Sequence, residues 1–168
     1  MKLKLPPPFE ELMRRHESEI LRFLLRLTGN REDALDLFQE TCLRAYRAYP
    51  EVNADANLRA WLFTIAANLH RNHVRALSRR KQAAWAMQNG TPRNQQGSAA
   101  GQDGAGPVFA YIRRALERLP DKQREALVMR KFAGLEYREI AAQLGCSDES
   151  ARANVSQALK KLKEEWLS

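Results

Sequence analysis

Five of the eight glycines in this chain fall between Gln82 and Pro107, at positions 90, 97, 101, 104 and 106. The same stretch holds a Gln-Gln pair and only two charges, Arg93 and Asp103, so its composition is that of a flexible linker. A chain of 168 residues broken there divides into two small domains, residues 1–81 and 108–168, joined by the linker 82–107. Its 44% hydrophobic content is enough to give each an ordinary core.

Apolar residues in the first lobe keep helical time. Phe9, Leu12, Met13, His16, Ile20, Phe23, Leu24 and Leu27 recur at intervals of three and four, and Gly29 is placed to stop that helix. Asn30 is a suitable cap for a second helix, with Glu32 and Asp33 in the first turn and Ala34, Leu37, Phe38, Thr41, Ala45, Tyr46 and Tyr49 along it; Pro50 ends it. Leu58, Leu62, Ile65 and Leu69 mark a third helix running to about Arg80.

The second lobe reads as four shorter helices. The first spans residues 108–119, Pro120 opens the next, Gly134 closes it, and residues 137–144 and 149–165 supply the last two. Short apolar runs such as residues 127–129 sit inside helical periodicity, so no strand is expected. The fold class is all-α.

Charge narrows the choice of partner. The chain carries 28 Lys and Arg against 20 Asp and Glu, a net +8, shared between the lobes as +5 and +3. A polyanion is therefore the first partner to consider, and nucleic acid fits before an acidic membrane surface does. The apolar run from Ile20 to Leu27 is broken by Arg22 and Arg26, short of the roughly 20 residues that span a bilayer, and Lys2 and Lys4 lead into prolines rather than a signal core. These features predict a cytoplasmic protein with no membrane insertion. Cys42 and Cys146, about a hundred residues apart, make neither a disulfide framework nor a metal-ligand spacing and read as buried thiols. His70 and His73 lack a third ligand nearby, so no metal and no cofactor is expected.

The sharpest chemistry lies between Tyr137 and Leu162. Ile140, Ala141 and Leu144 on one helix, Gly145 at a corner, and Ala151, Val155 and Leu159 on the next have the spacing of a helix-turn-helix. Gly145 accepts a backbone conformation that side chains resist, and Ser147 can cap the second helix. In this motif the second helix enters the DNA major groove. The outward residues would be Asp148, Glu149, Ser150, Arg152, Ala153, Ser156 and Gln157, with Arg152 suited to guanine and Gln157 or Asn154 to adenine. Asp148 and Glu149 repel phosphate, which leaves a plain protein-contact helix as the competing reading.

A second basic surface lies on or near the third helix of the first lobe. Arg59, Trp61, Asn68, His70, Arg71, Asn72, Arg75, Arg79, Arg80 and Lys81 combine phosphate-pairing cations with an aromatic ring and amides that bond exposed bases. The plainer reading is a solvated basic helix end with Trp61 in the core.

Three segments together resemble the small extracytoplasmic-function group of the bacterial sigma factor family. They are Asp33-Ala-Leu-Asp-Leu-Phe-Gln-Glu-Thr-Cys-Leu-Arg-Ala-Tyr46, Leu58-Arg-Ala-Trp-Leu-Phe-Thr-Ile-Ala-Ala-Asn68, and Leu119-Pro-Asp-Lys-Gln-Arg-Glu-Ala-Leu127 followed by Tyr137-Arg-Glu-Ile-Ala-Ala-Gln-Leu-Gly145. The resemblance implies sigma domain 2 in the first lobe, a three-helix bundle, and sigma domain 4 in the second, with no domain 3 and no N-terminal inhibitory region.

It also implies a division of labour. Asp36, Leu37, Gln39, Glu40 and Arg44 would dock on the clamp of the largest subunit of RNA polymerase core, with the flap region as a second contact. Arg59, Trp61, Asn68, Arg71, Asn72, Arg75, Arg79 and Arg80 would engage the minus 10 element and its melted strand. Ser147, Glu149, Ser150, Arg152, Ala153, Asn154, Ser156, Gln157 and Lys160 would read the minus 35 element as duplex. Relatives commonly have basic residues at the positions of Asn154 and Gln157 and often an acid at that of Asn72, so promoter sequences do not transfer. An anti-sigma factor is the expected inhibitor.

Two other functions compete. A stand-alone helix-turn-helix regulator would need neither the Asp36 to Arg44 surface nor a second DNA-binding lobe. An enzyme acting on nucleic acid would need a phosphate loop, an activated nucleophile, a metal cluster or dense carboxylates, and none of these patterns is present.

Overall fold

The computed structural model describes residues 6–88 and 107–167, apart from the side chain of Phe109. Among these residues there are seven α-helices, one 3-10 turn and no strand.

Helix α1, Phe9–Thr28, buries Leu12, Met13, Ile20, Phe23, Leu24 and Leu27 on one stripe. It stops at Gly29, whose φ of 67° is left-handed and whose N–H donates to the carbonyl of Leu25 at 2.9 Å. Asn30 then caps α2, Arg31–Ala48, its side-chain oxygen accepting from the N–H of Glu32 at 2.8 Å and of Asp33 at 3.4 Å. Helix α2 buries Ala34, Leu37, Thr41 and Ala45 and runs into the 3-10 turn Tyr49–Glu51, where Pro50 ends it as expected. Tyr46, expected on the core stripe, is 61% exposed and only edges the Phe9 ring.

Helix α3, Leu58–Gln88, packs its first half against α1 and α2 through Leu62, Phe63, Ala66, Ala67, Leu69 and His70. Phe23 and Phe63 meet edge to face with ring centroids 5.1 Å apart, an arrangement stabilising by about 0.5–1.5 kcal/mol beyond simple burial. The helix outlasts the sequence expectation: residues 82–88, assigned to the linker, continue it. Ala83, Ala84 and Met87 are strong helix formers, and no glycine or proline intervenes before Gly90. The remainder of the expected linker, up to residue 106, lies outside the described residues, and Pro107 begins the next helix.

Helices α4 (Pro107–Glu117), α5 (Asp121–Lys131), α6 (Tyr137–Leu144) and α7 (Asp148–Leu167) form the second lobe. Pro120 precedes α5, and Gly134 and Gly145 both adopt positive φ, 67° and 61°, at the turns after α5 and α6. Glu136 and Glu139 close a capping box on α6. Leu116, Leu119, Leu127, Val128, Leu135, Ile140, Leu144, Ala151 and Val155 are buried in the lobe.

The lobes do not stand apart. Helix α5 packs on α1 and α6 touches α3, so the buried apolar residues of both lobes form one continuous cluster. No helix among the described residues is long and apolar enough to cross a membrane.

Candidate nucleic-acid and polymerase interfaces

The helix-turn-helix spacing of the sequence becomes geometry at Gly145. Its left-handed backbone turns the chain between α6 and α7, and the N–H of Cys146 reaches back to the carbonyl of Ala141 at 3.0 Å. Ser147 caps α7 as its position suggested, its hydroxyl oxygen accepting from the N–H of Ser150 at 3.2 Å. Ala151, Val155 and Ala158 pin one side of α7 to the lobe, so the opposite side faces solvent.

That solvent face holds Ser147, Glu149, Ser150, Arg152, Ala153, Ser156, Gln157 and Lys160, all exposed, with Asn154 half-buried at its edge. The Arg152 guanidinium rests 4.5 Å above the Tyr137 ring, which braces it near the N-terminal end of α7. Gln157 accepts a hydrogen bond from the Gln123 amide at 2.7 Å and Lys160 lies 4.0 Å from Glu164, so both are steered by neighbours.

Helix α3 separates the residues assigned to the melted strand into two groups. Asn68, Asn72, Arg75 and Arg79 succeed one another by three or four residues and form a single exposed stripe on the side away from the core, whereas Trp61, seven residues before Asn68, packs partly against the core. Arg71 and Arg80 flank it. Arg59 lies on the opposite side, in line with Phe63, Ala66 and His70, which are buried. Its Nε bonds Glu19 at 2.9 Å, its Nη1 donates to the carbonyl of Ala133 at 2.6 Å and its Nη2 to that of Phe132 at 3.2 Å. Sequence spacing placed Arg59 with the basic face; the helix phase puts it on the lobe boundary. Trp61, half-buried, stacks at a tilt on Tyr49 with centroids 6.1 Å apart.

Burial, and after it the neighbouring Arg75, lower the pKa of the Arg71 guanidinium, while Glu125 of the second lobe opposes the shift. His70 is held down more strongly, to about 4, first by burial and then by Arg124 and His73, so it is neutral at pH 7. Nε2 of His73 stands 3.4 Å from Asp33 at the start of α2 without a hydrogen bond to it. Among the described residues no group of three or more His, Cys, Asp or Glu is gathered as metal ligands.

On α2 the exposed side carries Asp36, Gln39 and Arg44, with Glu40 half-buried and bonded to Arg44 Nε at 2.7 Å. Leu37 is 8% exposed and lies on the core stripe with Ala34, Thr41 and Ala45, as its spacing indicates and against the docking role that the resemblance implied. Leu43, 51% exposed, takes the place in the outward face that Leu37 was assigned, seven residues after Asp36. Helix phase, counted from the buried stripe, would have found it.

A further apolar surface was not foreseen. Tyr111, Ile112, Phe132, Leu159, Leu162 and Trp166 line a cleft of about 240 Å³ between α4, α5 and α7. Its signal in the sequence was the excess of apolar residues at 108, 111 and 112 beyond those one core stripe needs.

Comparison with known proteins matches both lobes. Residues 12–80 fit the Sigma-70 region 2 profile and residues 109–162 the profile of Sigma-70, region 4. The ECF RNA polymerase sigma factor EcfG of Rhodopseudomonas palustris is 37% identical over 83% of this chain and 75% of its own length. The RNA polymerase sigma factor CarQ of Myxococcus xanthus is 33% identical over 93% of this chain and 87% of its own length. The sigma factor RpoE from Bartonella quintana, solved in complex with the anti-sigma factor NepR, superposes with a TM-score of 0.67 at 26% identity, covering 93% of this chain and 94% of that one. With region 2 in its first lobe, region 4 in its second and relatives matched over most of their length, the chain belongs to the ECF RNA polymerase sigma factors.

Proposed function

We propose that this chain binds RNA polymerase core, directs it to a chosen set of promoters and assists their opening as transcription starts. The observation that carries the reading is the presence, in order on one chain, of both sigma regions, with the solvent face of α7 free to enter a major groove. A stand-alone regulator would have no use for region 2.

Each surface has a role in this reading. The α2 face of Asp36, Gln39, Glu40, Leu43 and Arg44 docks on the clamp of the largest polymerase subunit: carboxylates meet basic residues there, and Leu43 supplies apolar area. The α3 stripe of Asn68, Asn72, Arg75 and Arg79, with Trp61, Arg71 and Arg80 beside it, holds the minus 10 element, cations on phosphates and the ring and amides on unpaired bases. The α7 face from Ser147 to Lys160 reads the minus 35 duplex, Arg152 against guanine. The apolar cleft of the second lobe suits the flap region.

The chain works in the cytoplasm, supplies no catalytic group and leaves nucleotide addition to the polymerase. An anti-sigma factor is its inhibitor, as NepR accompanies RpoE in the Bartonella complex. Transcription of a genomic DNA library by purified core polymerase plus this chain, with start sites mapped, tests the reading. The expected result is a discrete set of starts absent without the chain; no complex with core and no new starts would overturn it.

A further inference from the structure

Two glutamines 34 residues apart in sequence meet at the edge of the α7 face. Helix α5 packs on α7, with Ala126, Leu127, Val155 and Ala158 buried in the same lobe. That packing sets Gln123, in the first turn of α5, beside Gln157, in the third turn of α7, and the Gln123 Nε2 donates to the Gln157 Oε1 at 2.7 Å. Gln123 is half-buried and Gln157 is exposed. Neither the helix-turn-helix spacing nor the family resemblance gives Gln123 a role in DNA binding.

The other end of the Gln123 amide fixes the direction of this bond. Its Oε1 is buried and has no hydrogen-bond partner among the described residues. Turning the amide over would bury two unpaired N–H donors there in place of one acceptor oxygen, the costlier arrangement. Gln123 therefore keeps its NH2 group toward Gln157, and Gln157 keeps its Oε1 toward Gln123. What Gln157 has left for a groove is its own Nε2, with two N–H donors, and the second lone pair of Oε1.

We propose that Gln123 is a positioning residue for promoter specificity, locking the Gln157 amide so that α7 selects adenine and rejects cytosine at one base pair. The inference rests on the sigma-factor reading for the entry of α7 into the minus 35 duplex. Adenine presents N7 as acceptor beside its N6 amino donor, which matches Nε2 and the remaining lone pair of Oε1. Guanine and thymine each offer an acceptor to Nε2 and no donor to Oε1, so they rank between. Cytosine presents only the N4 amino donor, which meets the Gln157 Nε2 donor against donor. A free glutamine escapes that clash by turning its amide over; here the turn breaks the bond to Gln123 and sets N–H against N–H.

The test uses the full chain bound to RNA polymerase core and a promoter taken from its mapped start sites, with every single base-pair change made in the minus 35 element and the bound fraction sequenced. Wild-type holoenzyme is expected to prefer adenine to cytosine at one position, and Gln157→Ala to reduce that preference about tenfold or more. Gln123→Ala frees the Gln157 amide and should lower the same adenine-to-cytosine ratio about fivefold, the size of one hydrogen bond. Gln123→Glu is the sharper variant. A carboxylate only accepts, so it draws in the Gln157 Nε2, turns Oε1 toward the groove and should raise cytosine at that position alone. Its added negative charge weakens binding to every sequence alike and cancels in the ratio. With Gln157→Ala in place, neither substitution at Gln123 should change the preference further. Circular dichroism first confirms native helix content in each variant. A ratio unmoved by both substitutions, or a shift that persists without the Gln157 amide, would overturn the lock. Uniform weakening across all positions would overturn it too, making Gln123 a phosphate contact. Wild-type holoenzyme with no preference anywhere in the element would instead strike the promoter reading itself, and the lock with it.

Discussion

Nδ1 of His70 stands 3.9 Å from Oε1 of Glu125, a pair buried where α3 of the first lobe meets α5 of the second. Burial moves both pKa values toward the neutral forms: His70 falls to about 4, and Glu125 rises above its ordinary 4.5. The two contributions have opposite signs. The unfolded chain protonates histidine near 6.5, so the stability held by neutral His70 is complete above that pH and is lost as pH falls from 6.5 through about 4, by about 3 kcal/mol at the limit. The contribution of protonated Glu125 is complete below 4.5 and is lost as pH rises through its raised value. We expect His70→Gln to flatten the acid limb of a melting-temperature profile and Glu125→Gln to be at least as stable as wild type at pH 7. A His70 ring that titrates near 6.5 by NMR would contradict this account.

Phe63→Ala should cost about 3–5 kcal/mol in urea denaturation, because the ring is fully buried and its edge-to-face partner Phe23 is also at 0% exposure. A loss under about 1 kcal/mol would mean that the first lobe packs less tightly than the geometry describes.

Gly145→Ala isolates the cost of a left-handed backbone, since nothing lies within 4 Å of the added methyl group. A loss of about 1–2 kcal/mol in thermal unfolding is expected from the positive φ alone. Gly134→Ala has the same φ and also meets Arg59 Nη1 at 3.2 Å, so it should weaken the lobe boundary in addition.

Asp36→Ala combined with Gln39→Ala should leave melting within about 0.5 kcal/mol of wild type, as both are exposed on α2. Affinity for core polymerase, measured by competition against a labelled sigma factor, should fall about tenfold or more. Undiminished affinity would remove this face from the docking surface.

Arg152→Ala takes away a cation held over Tyr137 on the α7 face. Binding of the holoenzyme to a cognate minus 35 duplex should weaken by about 1–3 kcal/mol, and discrimination at one base pair should relax. A uniform loss across all sequences would reassign Arg152 to a phosphate contact.

Local chemistry in the sequence was enough to place the helices. Gly29, Asn30, Pro50, Pro120, Gly134, Gly145 and Ser147 each sit where their backbone or capping preference puts them, and the buried stripe of α1 follows its spacing. On α7 Ala151 and Val155 are buried as their spacing indicates, but Leu159 is 42% exposed and Ala158 takes its place in the core. What depends on distant surfaces meeting was hidden. Glu125 reads as an ordinary acid in a polar helix until α3 covers it, and Arg59 reads as one more DNA-facing cation until the phase of α3 is fixed by Phe63 and Ala66. Leu37 was misplaced because family resemblance assigned it a surface role while helix phase counts it with Ala34 and Thr41. The end of α3 was missed because a glycine-poor, alanine-rich segment was averaged with the glycine-rich one after it.

The overrun of α3 sets the scale on which the two lobes can straddle a promoter. Only the 18 residues from 89 to 106 lie between α3 and α4, and fully stretched they reach about 60 Å, against roughly 50–70 Å between promoter elements one and a half to two turns apart. The last eleven residues of α3, 78–88, are all exposed and have no core to hold them helical. Each one that melts exchanges a helical rise of about 1.5 Å for about 3.4 Å of extended chain, so this helix end stores roughly 20 Å of extra reach. Spacer lengths beyond what 18 residues can reach then become accessible at the expense of helix, and tolerance for them should decline as the end of α3 is made more firmly helical.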